Sequence, residues 1–162
     1  LNKVDDNSDS NVEKAIDLGY VGEPEKIDPQ VIHALINEKM IPVIAPVGIG
    51  TDGLTYNINA DTAAGSISAA MKASRMIMLT DVAGVLDQNG NLIPELTILE
   101  AQELIKNKIV VGGMIPKIKT CIDAILGGAE ASVIMDGTMP HSLLLELFTE
   151  HGVGTIIRKG TN

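Results

Sequence analysis

Asp61-Thr62-Ala63-Ala64-Gly65-Ser66-Ile67-Ser68-Ala69-Ala70 and, a short turn later, Met76-Ile77-Met78-Leu79-Thr80 decide the fold. The first run predicts a helix from Thr62 to about Ala73, with Asp61 as its cap. Its alanines, glycine and serines let another backbone approach closely. The second run is short and continuously apolar, the mark of a strand buried on both faces. The same alternation extends outward. Upstream, Asp28-Pro29 starts a helix with Pro29 at the first helical position, and Val31, Ile32, Leu35 and Ile36 follow at helical spacing. Ile41 to Val47 then reads as another buried strand, and Leu18 to Gly22 as a short one. Downstream, Asn89-Gly90 marks a tight turn. A helix is expected over Thr97 to Lys106. Another starts near Ile115, with Pro116 in its first turn, Ile118, Ile122, Ile125 and Leu126 as its apolar stripe, and Gly127-Gly128 at its end. Ala131 to Met135 is a strand, Ser142 to Phe148 a helix and Thr155 to Ile157 a last strand. The expected fold class is α/β, a three-layer sandwich with a mainly parallel sheet.

The chain has 162 residues, enough for one domain with a real core, and 45% of them are hydrophobic. Its net charge is -9. An acidic chain is poorly suited to neutralising phosphates along a nucleic acid, so no nucleic-acid partner is expected. Tyr20, Tyr56 and Phe148 are its aromatics, too few for a base-stacking platform. Cys121 is the single cysteine, which excludes an internal disulfide and fits a reducing compartment. No apolar run is long enough to cross a bilayer, so no membrane partner is expected. The chain starts at Leu1 and continues through an acidic, polar stretch, Val4 to Glu13, read as an exposed loop or hairpin tip. The expectation is a segment from the middle of a longer polypeptide.

Two polar clusters exceed what a plain core requires. Tyr56-Asn57-Ile58-Asn59-Ala60-Asp61 spaces Asn57, Asn59 and Asp61 two apart, on one face of an extended segment. They could satisfy a turn, or converge on a small polar ligand. Asp61 could cap the next helix, orient nearby lysines, or do both. Gly112-Gly113-Met114-Ile115-Pro116-Lys117 opens another helix. Lys117 is either a solvated surface lysine or a charge added to a helix start that already favours anions. Thr80-Asp81-Val82-Ala83-Gly84-Val85 follows a buried strand, where α/β sheets bind ligands. Asp81 could meet a ribose hydroxyl or a metal, although a turn or cap is the preferred reading. Gly48-Ile49-Gly50-Thr51-Asp52-Gly53 matches a dinucleotide fingerprint in letters only. No helix opens there, so a glycine-rich hairpin is preferred. The three histidines lie far apart and no metal site is expected.

Taken in order, these runs resemble the acetylglutamate kinases of the amino-acid kinase family. Leu18 to Gly22, Pro42 to Pro46, Tyr56 to Asp61, Leu79 to Val85, Gly112 to Lys117 and Gly152 to Thr155 carry the resemblance. It implies an amino-acid kinase-like fold that moves the γ-phosphoryl group of ATP, with Mg2+, to the side-chain carboxylate of N-acetyl-L-glutamate in arginine biosynthesis. It implies that Asn57, with Asn59, binds the acceptor and that Asp61 holds catalytic lysines. Lys117 would stabilise the transferring group. Thr80, Asp81, Gly84, Gly113 and Met114 would line the nucleotide site.

Residues 1–22 would form an exposed loop or hairpin and a central strand, and residues 23–162 the ATP-binding portion. The substrate half found at the amino end of such kinases is not recognisable here, and this segment alone is expected to be inactive. A homo-oligomer is implied, with a PII-type signalling protein as a possible partner. The cytoplasm is the expected location, with the plastid stroma as alternative. A second reading is a non-catalytic, arginine-binding regulatory domain of the same family. His141 and Glu146 would be effector-site candidates, although ordinary exposed positions are the preferred reading for both.

Overall fold

Two apolar runs that pair side by side organise the larger of two sheets. In chain order the elements are β1 (Val21–Gly22), α1 (Gln30–Asn37), β2 (Val47–Ile49), β3 (Thr55–Ile58), α2 (Ala60–Ala70), β4 (Met76–Thr80), β5 (Glu95–Thr97), α3 (Ile98–Lys106), α4 (Met114–Gly127), β6 (Ala131–Asp136), α5 (Ser142–Phe148) and β7 (Thr155–Arg158). The computed structural model describes residues 19–149 and 152–160. The acidic stretch expected to be a loop, and Leu18, lie outside them.

The larger sheet has the order β4-β6-β7-β5. β4 pairs with β6 in parallel from Met76↔Ser132 to Thr80↔Asp136, and β5 pairs with β7 in parallel. β6 and β7 run antiparallel. The fold is α/β as expected, with mixed sheets. One face packs Met76, Met78, Ile134 and Ile157 against Ile118, Cys121, Ile122 and Ile125 of α4 and Ile98 and Ala101 of α3. Val133 and Met135, on alternate positions of β6, are equally buried. On that side Arg75, just before β4, reaches Glu146 of α5 at 3.2 Å. Each fully buried aliphatic side chain contributes about 1.5–3 kcal/mol through removal from water. Burial also pushes the Cys121 thiol up to about 12, so it behaves as a core residue.

The smaller sheet has the order β1-β3-β2, with β1 parallel and β2 antiparallel to β3. Here the structure corrects the sequence reading. Of the strand expected over Ile41 to Val47, only Val47 lies in a strand, and Ile41 and Val43 are 91% and 95% exposed. Pro42 and Pro46 lack the N–H groups a ladder needs, and the Val47 N–H turns back to Ala45. Gly48 to Gly53 forms the expected hairpin, closed by Gly50 N–H to Leu54 O at 2.8 Å and Gly53 N–H to Gly50 O at 2.9 Å.

Helices α2 and α4 lie in parallel and in close contact. A Cβ on Gly65 would come 2.8 Å from Thr120 Cγ2, and one on Gly127 would come 2.7 Å from Ala69 Cβ. α3 opens with a capping box: Thr97 Oγ1 accepts the Glu100 N–H, and Glu100 accepts the Thr97 N–H at 2.7 Å. The start expected at Thr97 is therefore its cap, and Pro29 likewise precedes α1 by one residue.

Two outcomes follow. In an exposed helix, Gly→Ala stabilises by about 0.5–1 kcal/mol. Gly65→Ala should instead lower the thermal midpoint, because overpacking costs about 1–3 kcal/mol. Thr120→Ser, which deletes Cγ2, should reverse that sign; stabilisation by Gly65→Ala alone would contradict the close contact. The Thr97 N–H, then its hydroxyl, hold Glu100 below its ordinary 4.5. A depressed carboxyl contributes stability that is present above 4.5 and lost as pH falls through its folded value. Glu100→Gln should therefore lower the midpoint at neutral pH and converge on the wild type at acid pH, which flattens the acid limb.

Candidate active site

β3 leads through one residue into α2, and that junction fixes three polar side chains. Asn59 is the cap of α2: its Oδ1 accepts the Thr62 N–H at 3.1 Å. The sequence reading had given that role to Asp61. Asn and Asp cap almost equally well, so propensity could not choose between positions two apart. Asp61 lies instead in the first turn, where its Oδ2 accepts a hydrogen bond from Lys117 Nζ at 3.0 Å. Lys117 lies in the first turn of α4. The two side chains are 34% and 25% exposed. An ammonium has three donors, so a bond to Asp61 leaves two for an incoming anion.

The glycine contacts explain why these residues meet. Asp61, Gly65 and Ala69 recur every fourth residue on one face of α2. They face Lys117, Thr120 and Gly127 on α4. Because the helices are parallel, both amino ends lie together, and both carry partial positive charge. Each helix leads into the strand it packs against, so these ends lie at the carboxyl ends of β4 and β6.

At that same end of the sheet, Thr80 and Asp136 are register partners, and the Gly137 N–H bonds Thr80 O at 2.8 Å. Thr80 Oγ1 lies 3.2 Å from Asp81 Oδ1, with Asp81 exposed. Asp136 accepts both the hydroxyl and the N–H of Thr138 at 2.7 Å, which hold its carboxyl below the usual range. The sequence reading missed Asp136. Its signal was available, since Asp136-Gly137-Thr138 ends an apolar strand just as Thr80-Asp81 does.

The other expected residues are distributed as follows. Gly113 precedes α4, with open space where a Cβ would be, and Met114 packs partly against the core. Gly84 has φ +150°, and a Cβ there would come 2.6 Å from Thr155 Oγ1. That hydroxyl accepts the Val85 N–H at 2.8 Å and donates to Ile93 O at 2.7 Å, so Gly84 is needed for the loop to seat on β7. Asn57 is exposed on β3. Tyr56 and Ile58, on alternate positions, line a cleft of about 880 Å³ with Ile32, Leu35 and Ile67. The Tyr56 hydroxyl donates to Asp52 at 2.7 Å, and the Leu54 N–H followed by that hydroxyl hold the Asp52 carboxyl low. His141 is exposed, as expected. Glu146 is not: it is buried, paired with Arg75, and accepts the Val153 N–H at 3.1 Å. Among the described residues no group of three or more His, Cys, Asp or Glu could hold a metal ion, and no helix is long and apolar enough to cross a membrane.

Comparison with known proteins places this geometry. Residues 4–136 match the amino acid kinase family. An acetylglutamate kinase of Gluconobacter oxydans (strain 621H) is 60% identical over 158 residues, covering 98% of this chain and 54% of that protein. An acetylglutamate kinase of Rhodospirillum centenum is 59% identical over 149 residues, 92% of this chain and 49% of that protein. The chain spans about half the length of the curated relatives it matches. Among solved structures, N-acetylglutamate synthase from Neisseria gonorrhoeae, complexed with coenzyme A and L-arginine, superposes with a TM-score of 0.83 at 29% identity, over 93% of this chain and 35% of that one. Carbamate kinase from Giardia lamblia bound to AMP-PNP has a TM-score of 0.64 at 21% identity, over 86% of this chain and 47% of that one, a likeness of fold alone. With the family match running from before β1 to the end of β6, the chain belongs to the amino acid kinase family.

Proposed function

We propose that this chain is the nucleotide-binding portion of an acetylglutamate kinase, which transfers the γ-phosphoryl group of ATP to the side-chain carboxylate of N-acetyl-L-glutamate. The observation that carries this reading is the Asp61–Lys117 pair at the joined amino ends of α2 and α4. Identity near 60% to acetylglutamate kinases supports the acceptor.

In the proposed reaction a carboxylate oxygen of the acceptor attacks the γ-phosphorus. The bond from that phosphorus to the bridging oxygen breaks, and ADP leaves with the electron pair. Both reactants are anionic, so the protein's work is to position them and to meet the charge that moves. Lys117 has two ammonium donors for the transferring oxygens, while Asp61 keeps its chain from swinging away. The α2 and α4 amino ends add partial positive charge. Thr80 and Asp81, at the end of β4, with Gly113 and Met114 at the start of α4, would border the nucleotide. Mg2+ would arrive as Mg·ATP, and Asn57 would hold the acceptor. A homo-oligomer in the cytoplasm completes the reading.

A second reading is an arginine-binding regulatory domain, favoured by the likeness to a synthase solved with L-arginine. Calorimetry separates them: the kinase reading expects Mg·ATP to bind this chain, and the regulatory one expects arginine to bind without nucleotide.

In the whole protein Lys117→Ala should raise the barrier by about 2.7–4 kcal/mol, as for loss of one donor to the developing charge. An unchanged kcat in a folded variant would remove Lys117 from the chemistry. Asn57→Ala should raise the acetylglutamate KM and leave that for ATP alone; the reverse pattern would move Asn57 out of the acceptor site.

A further inference from the structure

The Asn59 amide is engaged before any ligand arrives. Its Oδ1 accepts the Thr62 N–H at 3.1 Å and lies 3.4 Å from the Thr62 hydroxyl. Its backbone carbonyl accepts the Ala63 N–H at 2.9 Å. With φ -59° and ψ 130°, it has the non-helical backbone of a cap. Two residues later, Asp61 lies in the first turn of the same helix.

That proximity creates a competition. The first N–H groups of a helix lack partners within it, and a nearby carboxylate is a strong acceptor for them. Asp61 is therefore claimed from two sides, by the open donors of its own helix and by Lys117. Among the described residues its side chain bonds Lys117, while the Thr62 donor goes to Asn59.

We propose that Asn59 is a positioning residue: by capping α2 it releases Asp61 to hold Lys117 in the orientation that phosphoryl transfer requires. The role needs only the acceptor oxygen of the amide. An acceptor-binding role for Asn59 would use its amide donors instead. Serine and aspartate keep an oxygen at the cap and lack that NH2 group, so they separate the two roles.

The test uses Asn59→Ala, Asn59→Ser and Asn59→Asp in the whole protein. The side-chain ammonium resonance of Lys117, assigned by its loss in Lys117→Arg, reports the bond to Asp61 by nuclear magnetic resonance. Asn59→Ala should lower the thermal midpoint and shift that resonance toward the position of an unpaired lysine. Asn59→Ser and Asn59→Asp should restore both. The kinetic arm rests on the kinase reading: in Asn59→Ala kcat should fall by up to about 10²-fold, the scale of a misplaced catalytic group, with the acetylglutamate KM unchanged. Asn59→Ser should recover kcat. An unmoved Lys117 resonance in folded Asn59→Ala overturns the proposal. So does an acetylglutamate KM that rises in Asn59→Ala and Asn59→Ser alike, which would make Asn59 a ligand of the acceptor. If the wild-type protein transfers no phosphoryl group, the kinase reading fails, and the resonance and midpoint still decide the role of Asn59.

Discussion

The closeness of α2 to α4 is the constraint on which the rest of the candidate site depends. Gly65 against Thr120 and Ala69 against Gly127 leave no room for larger groups, so the helices cannot slide or rotate past one another freely. Two contacts separated along a parallel pair fix both translation and rotation. That register carries Asp61 to within 3.0 Å of Lys117 across a long gap in sequence. Larger residues along the seam would give a bulkier, more apolar contact and a wider separation, and a side chain as short as aspartate would no longer reach. The small residues exchange some apolar burial for a defined distance.

The junction from β3 to α2 divides its work by position. In the extended part, alternation sends Tyr56 and Ile58 toward the cleft and leaves Asn57 exposed. At the change of backbone conformation Asn59 serves the helix. Within the first turn of α2 the helical backbone then directs Asp61 toward α4. Three polar residues at even spacing would share a face only if the strand continued, and the helix starting at Ala60 breaks that periodicity.

Much of the fold was legible in the residues. Met76–Leu79 and Val133–Met135 are apolar runs that do become paired strands, although only β6 is buried on both faces while Leu79 of β4 is 52% exposed. The helical spacing of Ile98, Ala101, Leu104 and Ile105 marks α3. The remainder was hidden for physical reasons. The antiparallel pairing of β6 with β7 leaves no trace in hydrophobic periodicity, which reports burial and not strand direction. Ile41 to Val47 has the composition of a buried strand, but composition cannot say whether a neighbour is present to bury it. Glu146 looked like a surface residue, since nothing local reveals Arg75, seventy-one positions away in sequence. Lys117 was visible as a helix-start lysine, whereas its partner was visible only as a cap. Their pairing is a property of the seam between helices.

Two of the ion pairs among the described residues lie at opposite ends of β4 and differ in burial. At the amino end of β4, Arg75 meets a Glu146 whose side chain is 5% exposed and which also takes the Val153 N–H. Removing Arg75 would strand a buried carboxylate, so that pair is bound up with the integrity of the fold. At the carboxyl end, Asp61 and Lys117 stay within reach of water, 34% and 25% exposed. Such a pair adds only about 0–1 kcal/mol to stability. A lysine ringed by carboxylates would be neutralised and would have no donors left for a phosphate. One carboxylate, at one hydrogen bond's distance, orients the ammonium and leaves its remaining donors open. In the proposed kinase reading, the weakness of the Asp61–Lys117 pair as a structural bond is thus the condition for its use in phosphoryl transfer.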